Sequence, residues 1–375
     1  MKVAIVSDWM TAYAGAERTI EQIIQCFPDA DLFCLFDFVP QSSRGFLMKK
    51  AVRTSFIQNL PLAKTHWKKY LPLMPFAVER IDLSQYDLVI SSSHAVAKGV
   101  LTSPDQIHIC YLMARNLKYA YEDRAFYPGG TIRRAFEDVF LHYLRVWDSV
   151  ASKRPLVNLA PSKYVAQWCS RMHGIHPLVV YPPVDLEYFC KHYREQKGDD
   201  YIVVSRLEPY KRIDVVVEAF NQLGKKLTIY GDGSELRRLK SMSNPNIEFM
   251  GFQSKESIAT ALSTANAFIF PGREDFGIAL VEAQACGTPV IALGKGGALE
   301  SISDLSSQAP TGVFFHEQSA RALVEAVEKF EKNRSRITAE ACLANASRFS
   351  NEIFAEQFKL AVEHSISTWR KSIEI

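Results

Sequence analysis

The sequence predicts an α/β protein built from two doubly wound domains, each with a parallel β-sheet. Short β-branched runs alternate with amphipathic helical patterns along the chain, which is typical of successive strand–helix units. The alternation is interrupted by a polar segment near residue 190 and then starts again. The length of 375 residues is too great for one compact core and fits two domains of ordinary size.

The first series of strands and helices occupies residues 1–190. "KVAIVSDW" is predicted as a buried strand, and the helical pattern "GAERTIEQIIQCF" follows it. "YDLVISSSHAV" and "QIHICYLM" repeat the strand pattern, and "LVNLAPSKYVAQW" adds a strand followed by a helix with Ser162 as its N-cap. "PLVVYPPVDLEYF" closes the series, because the pair Pro182–Pro183 ends its strand.

The second series occupies residues 191–350 and follows the polar linker "CKHYREQKGDD". Strands such as "YIVVSRL" and "NAFIFPG" alternate with helices, of which "RIDVVVEAFNQLG" is stopped by Gly224. The tail, residues 351–375, is helical, and we expect it to pack back on the first domain. Since ligands of such sheets bind beyond the carboxyl ends of the strands, we expect the two domains to face each other across a cleft.

Composition excludes several classes of protein. The net charge of +3 is far from the balance of a nucleic-acid binder. The seven cysteines contain no CxxC pair, which favours free thiols in a reducing compartment. The nine histidines lack zinc-ligand spacing, so no metal site is predicted. With no apolar run of about 20 residues and no signal-peptide pattern, we expect a cytoplasmic protein, at most peripheral to the inner membrane.

A basic segment, residues 44–76, interleaves cations with aromatic and aliphatic side chains, and no acidic residue occurs between positions 38 and 78. This pattern is typical of a surface that binds an anionic membrane face. The alternative is an ordinary domain insertion with solvated lysines. The cations concerned are Arg44, Lys49, Lys50, Arg53, Lys64, Lys68 and Lys69.

The stretch "REDFGIALVE" places acids on both sides of a predicted helix start. A strand ends at "PG", so Glu274 and Asp275 lie in the loop at its carboxyl end. A helix N-terminus offers free N–H groups to an anion such as phosphate, and here those of Phe276, Gly277 and Ile278 are available.

Glu282 lies farther along that helix and can share a side with the loop if the helix begins near Ile278. A carboxylate accepts hydrogen bonds from the paired hydroxyls of a sugar or ribose. The alternative is an acidic first turn that complements the helix dipole, although Glu282 is too far along for that role.

A second cluster of charge follows the strand "YIVV", where Arg206 and Lys211 lie in the strand-to-helix loop "SRLEPYKR". Two cations five residues apart at the carboxyl end of a parallel strand can close on a diphosphate from two sides. A solvated basic loop is the alternative reading of this pattern.

These residues resemble a known family. Glu274, seven residues and then Glu282 match the EX7E motif of retaining glycosyltransferases of the GT-B fold, and "SRLEPYKR" matches their donor-diphosphate loop. The wider text, with "DLVISSSHAVAKGV", "VYPPVD", "YGDGSEL" and "FPGREDFGIALVEAQACGTPVIALGKGGALES", resembles glycosyltransferase family 4. It is most similar to the bacterial O-antigen and exopolysaccharide mannosyltransferases.

The resemblance implies two Rossmann-like domains, an acceptor-binding one over 1–190 and a nucleotide-sugar-binding one over 191–350. It implies that Arg206 and Lys211 neutralise the leaving diphosphate, so that no metal is required. Glu274 would hold hydroxyls of the transferred sugar, and Glu282 would bind the ribose. The remaining donor contacts would come from Asp275, Phe276, Gly277 and Ile278 beside the sugar and phosphates, and from Gly231, Gly251 and Phe252 near the nucleobase.

On the acceptor side the resemblance assigns Asp8, Ala14 and Gly15 to the border of the sugar. The implied reaction moves mannose from GDP-mannose onto a glycan carried by a polyprenyl diphosphate, with the nucleotide sugar as co-substrate. A UDP-sugar donor is the alternative within the family. Two alternatives belong to other functional classes. The chain would be either a GT-B sugar-nucleotide epimerase or a degenerate transferase retained as an assembly subunit.

The sequence departs from the family pattern twice. Ala14 stands where relatives commonly have glycine, and a methyl group there would crowd a close approach of the substrate. The stretch after "HICY" lacks the histidine that relatives direct at the donor sugar, and Met113 lies in that region instead. Either Arg115, Asn116 or His94 takes its place, or the activity is weak or directed at a different sugar.

Overall fold

The chain divides into two compact units in a computed structural model that describes residues 1–121 and 131–373. Unit 1 combines Met1–Tyr181 with Phe354–Ile375, and unit 2 is Pro182–Ile353. The sequence placed the divisions at 190/191 and 350/351, whereas the compact units divide at 181/182 and 353/354.

Unit 1 is built on a seven-stranded parallel sheet with the strand order β3-β2-β1-β4-β5-β6-β7. The strands are β1 (Val3–Ser7), β2 (Asp31–Cys34), β3 (Val52–Thr54), β4 (Leu88–Ser93), β5 (Ile107–Leu112), β6 (Val157–Ala160) and β7 (Leu178–Val179). The central strands β4 and β5 are buried throughout. Such burial on both faces is expected when helices cover both sides of a parallel sheet.

The helices of this part of the chain are of unequal length. They are α1 (Gly15–Cys26), α2 (Ala63–His66), α3 (Met74–Glu79), α4 (Lys118–Tyr121), α5 (Thr131–Ala151) and α6 (Lys163–His173). Ser162 accepts a hydrogen bond from the backbone N–H of Val165 and so caps α6 as predicted. Much of the basic segment forms short 3₁₀ turns, over 41–47, 56–59 and 67–73, rather than strand–helix units.

Unit 2 carries a six-stranded parallel sheet with the order β10-β9-β8-β11-β12-β13. Its strands are β8 (Tyr201–Val204), β9 (Leu227–Tyr230), β10 (Ile247–Gly251), β11 (Ala267–Phe270), β12 (Val290–Leu293) and β13 (Gly312–Phe315). Its helices are α7 (Leu186–Cys190), α8 (Ile213–Leu223), α9 (Leu236–Met242), α10 (Lys255–Thr264), α11 (Ile278–Ala285), α12 (Ala298–Ser301), α13 (Ala320–Lys332) and α14 (Ala339–Ser347). Gly224 ends α8 in the left-handed conformation, as predicted.

Residues 182–190 belong to unit 2 because their contacts lie there. The backbone N–H of Val184 donates to the carbonyl of Phe349 at 2.9 Å. The carboxylate of Asp185 accepts hydrogen bonds from the N–H of Tyr188, which starts α7, and from the ammonium of Lys255. Strand β7 ends before the pair Pro182–Pro183, as predicted, and α7 follows that pair.

The last helix, α15 (Asn351–Ile373), begins in unit 2 and then joins the core of unit 1. Phe354 and Phe358 are fully buried, and both rings pack edge-on against Tyr111 of β5. The predicted class of two doubly wound parallel-sheet domains is confirmed. None of the helices in the described ranges combines the length and apolar character that a membrane crossing needs.

Candidate functional site

In each sheet the strand order reverses direction once, and the candidate residues lie there. In unit 2 the reversal falls between β8 and β11, and in unit 1 between β1 and β4. The loops that leave neighbouring strands at such a point diverge, so a crevice opens at the carboxyl edge of the sheet. Arg206 follows β8, Glu274 follows β11, Asp8 follows β1 and His94 follows β4.

The two charged loops of unit 2 meet through an ion pair. The ammonium of Lys211 donates to Oε1 of Glu274, and both side chains are partly accessible, at 15% and 22%. The two residues are 63 positions apart and belong to two separate sequence motifs, and they are in direct contact. A ligand that reaches this point meets a cation and a carboxylate side by side.

Tyr210 orders the same loop, and the sequence had not indicated it. Its hydroxyl accepts a hydrogen bond of 2.7 Å from the guanidinium of Arg206. Its ring centroid lies 5.3 Å from the ammonium of Lys211. Arg212, which follows, has a positive φ of 54° that costs a non-glycine residue about 1–2 kcal/mol, and its guanidinium is held by Asp214. The loop is therefore a shaped turn that presents two cations.

Helix α11 begins at Ile278, as the placement of Glu282 required. Gly277 precedes it with φ of 90°, a conformation that side chains rarely adopt. Phe276 is buried and packs against Phe349, with ring centroids 5.2 Å apart, and Asp275 is also buried. Glu282, on the second turn, is partly exposed. The buried side chains of Asp275 and Phe276 thus hold the helix start in place, while Glu274 and Glu282 stay partly accessible to solvent.

The glycines of "GKGG" support the Glu274 loop, a role that the sequence had not revealed. The N–H of Gly297 donates to the carbonyl of Glu274 at 2.9 Å. A Cβ on Gly297 would lie 2.3 Å from Cα of Phe276, and one on Gly296 would lie 2.4 Å from the carbonyl oxygen of Glu274. These glycines allow the backbone of the β12–α12 loop to lie directly against the candidate site.

The glycines of "YGDG" allow close backbone contact with the loop after β8, which carries Arg206. A Cβ on Gly231 would lie 1.8 Å from the carbonyl oxygen of Ser205, and the N–H of Gly231 donates to the carbonyl of Gly251. The next residue, Phe252, is 84% exposed. The three residues predicted to lie near a nucleobase therefore occur together at the carboxyl ends of β9 and β10.

In unit 1, Asp8 is fully buried and its carboxylate is saturated. Its two oxygens accept backbone N–H hydrogen bonds of 2.6 to 2.9 Å from four consecutive residues, those of 94–97. Oδ2 also lies 3.0 Å from Nδ1 of His94. Since no oxygen is left over for a substrate, Asp8 shapes the loop after β4 and orients the imidazole.

Of the three proposed replacements for the missing histidine, His94 is the accessible one. Its side chain is 30% exposed, and its ring lies edge-on to Trp9 at 4.5 Å between centroids. Arg115 is buried against the ring of Tyr164, and Asn116 is buried with its amide 2.9 Å from the hydroxyl of Ser93. Asp8 contacts Nδ1 of this ring, so Nε2 is the ring nitrogen that Asp8 leaves for other contacts.

Ala14 and Gly15 form the start of α1, and Ala14 needs no glycine-like backbone. Its φ of −139° is extended, and its N–H donates to the carboxylate of Glu17 at 3.1 Å in a capping arrangement. Burial raises the pKa of Glu17, while hydrogen bonds from the backbone of Ala14 and of Glu17 itself act in the opposite direction.

Among the described residues, no group of three or more acidic, histidine or cysteine side chains is placed to hold a metal ion.

Comparison with known proteins gives one family match. Residues 186–349, within unit 2, match the family model described as Glycosyl transferases group 1. A GDP-mannose-dependent monoacylated alpha-(1-6)-phosphatidylinositol monomannoside mannosyltransferase of Corynebacterium glutamicum is 32% identical over 38% of this chain and 45% of that protein. A D-inositol 3-phosphate glycosyltransferase of Mycobacterium tuberculosis is 31% identical over 48% of this chain and 43% of that protein. The chain thus spans less than half the length of these relatives.

Solved structures resemble the chain over almost its whole length. The Anabaena protein HepE in complex with UDP has a TM-score of 0.67 and 17% identity, covering 97% of this chain and 100% of that one. The sucrose-phosphate synthase of Thermosynechococcus elongatus has a TM-score of 0.73 and 15% identity, covering 98% and 100%. At such identities the likeness concerns the fold, and the predicted GT-B fold is confirmed.

Proposed function

We propose that this chain is a glycosyltransferase that takes a hexose from a nucleotide sugar, most simply mannose from GDP-mannose, and transfers it with retention to a lipid-linked glycan. The observation that carries the proposal is the contact of Lys211 with Glu274 at the strand reversal of the second sheet. This contact brings a cation and a carboxylate together next to a helix start, which supports a phosphate partner for Lys211 and sugar hydroxyls as partners of Glu274.

The chemistry asks for stabilisation of the charge that develops as the bond to the diphosphate breaks. Arg206 and Lys211 supply two cations, and the N–H groups at the start of α11 add partial positive charge. The two cations and these N–H groups take the place of the metal ion that other glycosyltransferases use. The proposed reaction therefore has no metal requirement. Glu274 orients the sugar through its hydroxyls, and Glu282 holds the ribose.

The donor base is proposed from the relatives. The relative from Corynebacterium glutamicum is named as GDP-mannose-dependent, which supports a guanine nucleotide. The HepE structure contains UDP, which favours the second candidate, a UDP-sugar donor. The exposed ring of Phe252, beside Gly251, suits stacking on either base.

A thermal-shift panel tests the donor and the site together. GDP-mannose, UDP-glucose, UDP-GlcNAc, GDP and UDP are added at equal concentrations, and the bound ligand raises the melting temperature in proportion to RT ln(1 + [L]/Kd). We expect the guanine nucleotides to give the largest shift. A shift confined to uridine nucleotides would select the second candidate, and no shift with any nucleotide would overturn the proposal.

The variants Arg206→Ala and Lys211→Ala should lower the turnover of sugar transfer by about 10² or more, because each removes a preorganised charge from the leaving group. Arg238→Ala is the matched control, since Arg238 is an exposed arginine of unit 2 that pairs with Glu235 on the surface. Initial rates with the donor identified above give the comparison. Parental rates in either site variant would contradict the assignment.

The proposed membrane contact lies in unit 1, and we limit it to the exposed part of the basic segment. Arg44 is paired with Asp37, and the ammonium of Lys50 is held by the carbonyl of Ala30. Exposed cations and apolar side chains are instead interleaved over 56–76. They are Phe56, Leu62, Lys64, Lys68, Lys69, Leu73 and Phe76. This surface suits an anionic leaflet, where each lysine contributes about 1 kcal/mol.

Co-sedimentation with vesicles containing phosphatidylglycerol checks this contact. We expect binding at low ionic strength that weakens in 0.5 M salt, and a loss of about ten-fold or more for Leu62→Ser/Lys64→Glu. Lys332→Glu in unit 2, also an exposed lysine, is the control and should bind as the parent does. Equal binding by both variants would remove the membrane role of this segment.

A further inference from the structure

Unit 1 contains an apolar pocket that none of the assigned residues explains. Its volume is about 530 Å³, within the range of about 300–1,000 Å³ that small-molecule sites occupy. The walls come from three parts of the unit, namely the residue after Asp8, the 67–73 turn and helix α5. The apolar lining residues are Trp9, Trp67, Leu71, Pro72, Phe140 and Leu141.

The aromatic wall of the pocket is already ordered. The ring of Trp9 is stacked on Phe36, with centroids 5.8 Å apart and an interplanar angle of 4°. The ring of Trp67 also packs against the ring of Trp9, with centroids 4.9 Å apart. A ligand that enters therefore meets fixed aromatic surfaces, which lowers the entropic cost of binding.

The charge around the pocket has one predominant sign. Lys68 and Lys69 line it and are exposed, whereas Glu137 is the one acidic lining residue within the described part of the chain. The ammonium of Lys68 lies 5.7 Å from the ring of Trp67, so cation and apolar wall are adjacent. Two lysines beside an apolar cavity are complementary to a phosphate or diphosphate attached to a hydrocarbon chain.

The composition of the walls argues against a bare sugar. A sugar presents a hydroxyl on almost every carbon, and each one needs a hydrogen-bond partner when it leaves water. Tryptophan, leucine, proline and phenylalanine side chains supply almost none. An unsaturated hydrocarbon chain has no such requirement and gains free energy from burial against these walls at about 25 cal/mol per Å².

We propose that this pocket binds the first isoprene units of a polyprenyl phosphate or diphosphate, with the phosphate groups at Lys68 and Lys69. The assignment deepens the proposed function, on which it rests, because it names the part of the acceptor that unit 1 holds. Trp9 connects the pocket to the reaction chemistry, since its ring also contacts His94. The phosphate end of the chain would thus bind close to the one accessible imidazole among the candidates.

Farnesyl diphosphate is the probe, because it carries three isoprene units and stays in solution. Binding to the full chain is followed by quenching of tryptophan fluorescence and by calorimetry. We expect saturable binding of farnesyl diphosphate, binding about ten-fold weaker for farnesol, and no competition from inorganic diphosphate. If inorganic diphosphate competes fully, or if farnesyl diphosphate does not bind, the proposal is overturned.

Two neighbouring positions on α5 give a matched pair of variants. Phe140→Asp places a charge in the pocket and should weaken farnesyl diphosphate binding about ten-fold or more, and Leu71→Asp, on another wall, should do the same. Val139→Asp alters the adjacent residue, which is 71% exposed and lies outside the lining, and should bind as the parent does. Equal affinity of Val139→Asp and both pocket variants would exclude this cavity as the site.

The rim lysines give an independent test that folding cannot confound, because both are exposed. Lys68→Glu/Lys69→Glu should weaken farnesyl diphosphate about ten-fold while leaving farnesol unchanged. Equal loss for the two ligands would overturn the placement of the phosphate. The nucleotide thermal shift measured on Phe140→Asp separates this proposal from the function itself. If the parent protein binds farnesyl diphosphate but no nucleotide, the transferase function is refuted and the pocket assignment stands. If it binds nucleotide but not farnesyl diphosphate, only the pocket assignment is refuted.

Discussion

At the scale of single residues, Asp8 has the contacts that the sequence indicated least. The resemblance assigned it to the border of the sugar, whereas its carboxylate accepts four backbone N–H groups and faces His94. Four donors to one buried carboxylate tie the loop after β4 to the end of β1. These contacts make Asp8 a positioning residue for the loop after β4 and for the ring of His94.

Asp8→Asn should destabilise unit 1 by at least about 3 kcal/mol, because the amide NH₂ group replaces an acceptor and faces two backbone donors. Chemical denaturation measures the change, and a fall in melting temperature of about 6 °C or more should accompany it. Asp105→Asn is the control, since Asp105 lies on an exposed loop and its loss should cost less than about 0.5 kcal/mol. A variant as stable as the control would show that the four contacts contribute little.

The residues found from sequence were those with charge at a recognisable spacing. Glu274, Lys211 and Arg206 followed from the ends of strands and from the match to known motifs. Tyr210 was missed, because its contacts with both cations depend on the turn that Arg212 closes. The number of donors around Asp8 was equally invisible, since they come from a loop 86 to 89 positions away.

At the scale of elements, the glycine loops determine where the charged loops lie. Gly296 and Gly297 allow the β12–α12 loop to touch the backbone of 274–276, and Gly231 does the same for Ser205. The resemblance placed Gly231 near the nucleobase and assigned no role to Gly296 and Gly297. Only the packing of one loop on another reveals that they support Glu274 and Arg206.

Gly297→Ala isolates this support, because Gly297 has φ of −65° and alanine adopts that backbone freely. The new Cβ would overlap Cα of Phe276, so the start of α11 must move. We expect a loss of stability of about 1–3 kcal/mol and a weaker thermal shift with nucleotide. Gly45→Ala, where nothing lies within 4 Å of the added Cβ, should change neither quantity. An unchanged nucleotide shift in Gly297→Ala would separate this loop from the donor site.

Element prediction succeeded where capping and periodicity agreed, and it assigned no elements where proline and turn residues dominate. Ser162 and Gly224 mark helix ends in the sequence and in the structure. The segment 56–76 forms 3₁₀ turns and short helices with Pro72 inside one of them. Its buried apolar residues, Ile57, Ala63 and Met74, lie in these turns and short helices, which no regular period of the sequence describes.

At the scale of the whole molecule, the alternation of strands and helices predicted both sheets, but it could not predict the division between units. Pro182–Cys190 pack on unit 2 through long-range contacts with Phe349 and Lys255. Phe354 and Phe358 are just as remote in sequence from the strand that they cover. Long-range packing, rather than local pattern, decides which unit such residues join.

Fragments test this division. Residues 182–353 contain all of unit 2 and should melt cooperatively on their own, whereas 1–181 lack the aromatic side chains of α15 and should not. Losing two buried phenylalanines costs about 3–5 kcal/mol each, comparable to the whole stability of a domain. Circular dichroism melting curves of both fragments and of the full chain give the comparison. Cooperative melting of 1–181 at the parental temperature would contradict this account.

The discontinuity of unit 1 has a consequence for how the protein is made. The ribosome delivers the chain from its N-terminus, so the unit that starts first cannot close its core until Phe354, Phe358 and Val362 have emerged. Unit 2 is contiguous and complete by Ile353, so it can fold while the sheet of unit 1 still exposes apolar surface around Tyr111. During translation the order of folding should be the reverse of the order of synthesis, and chaperones that hold nascent chains should bind the first 181 residues.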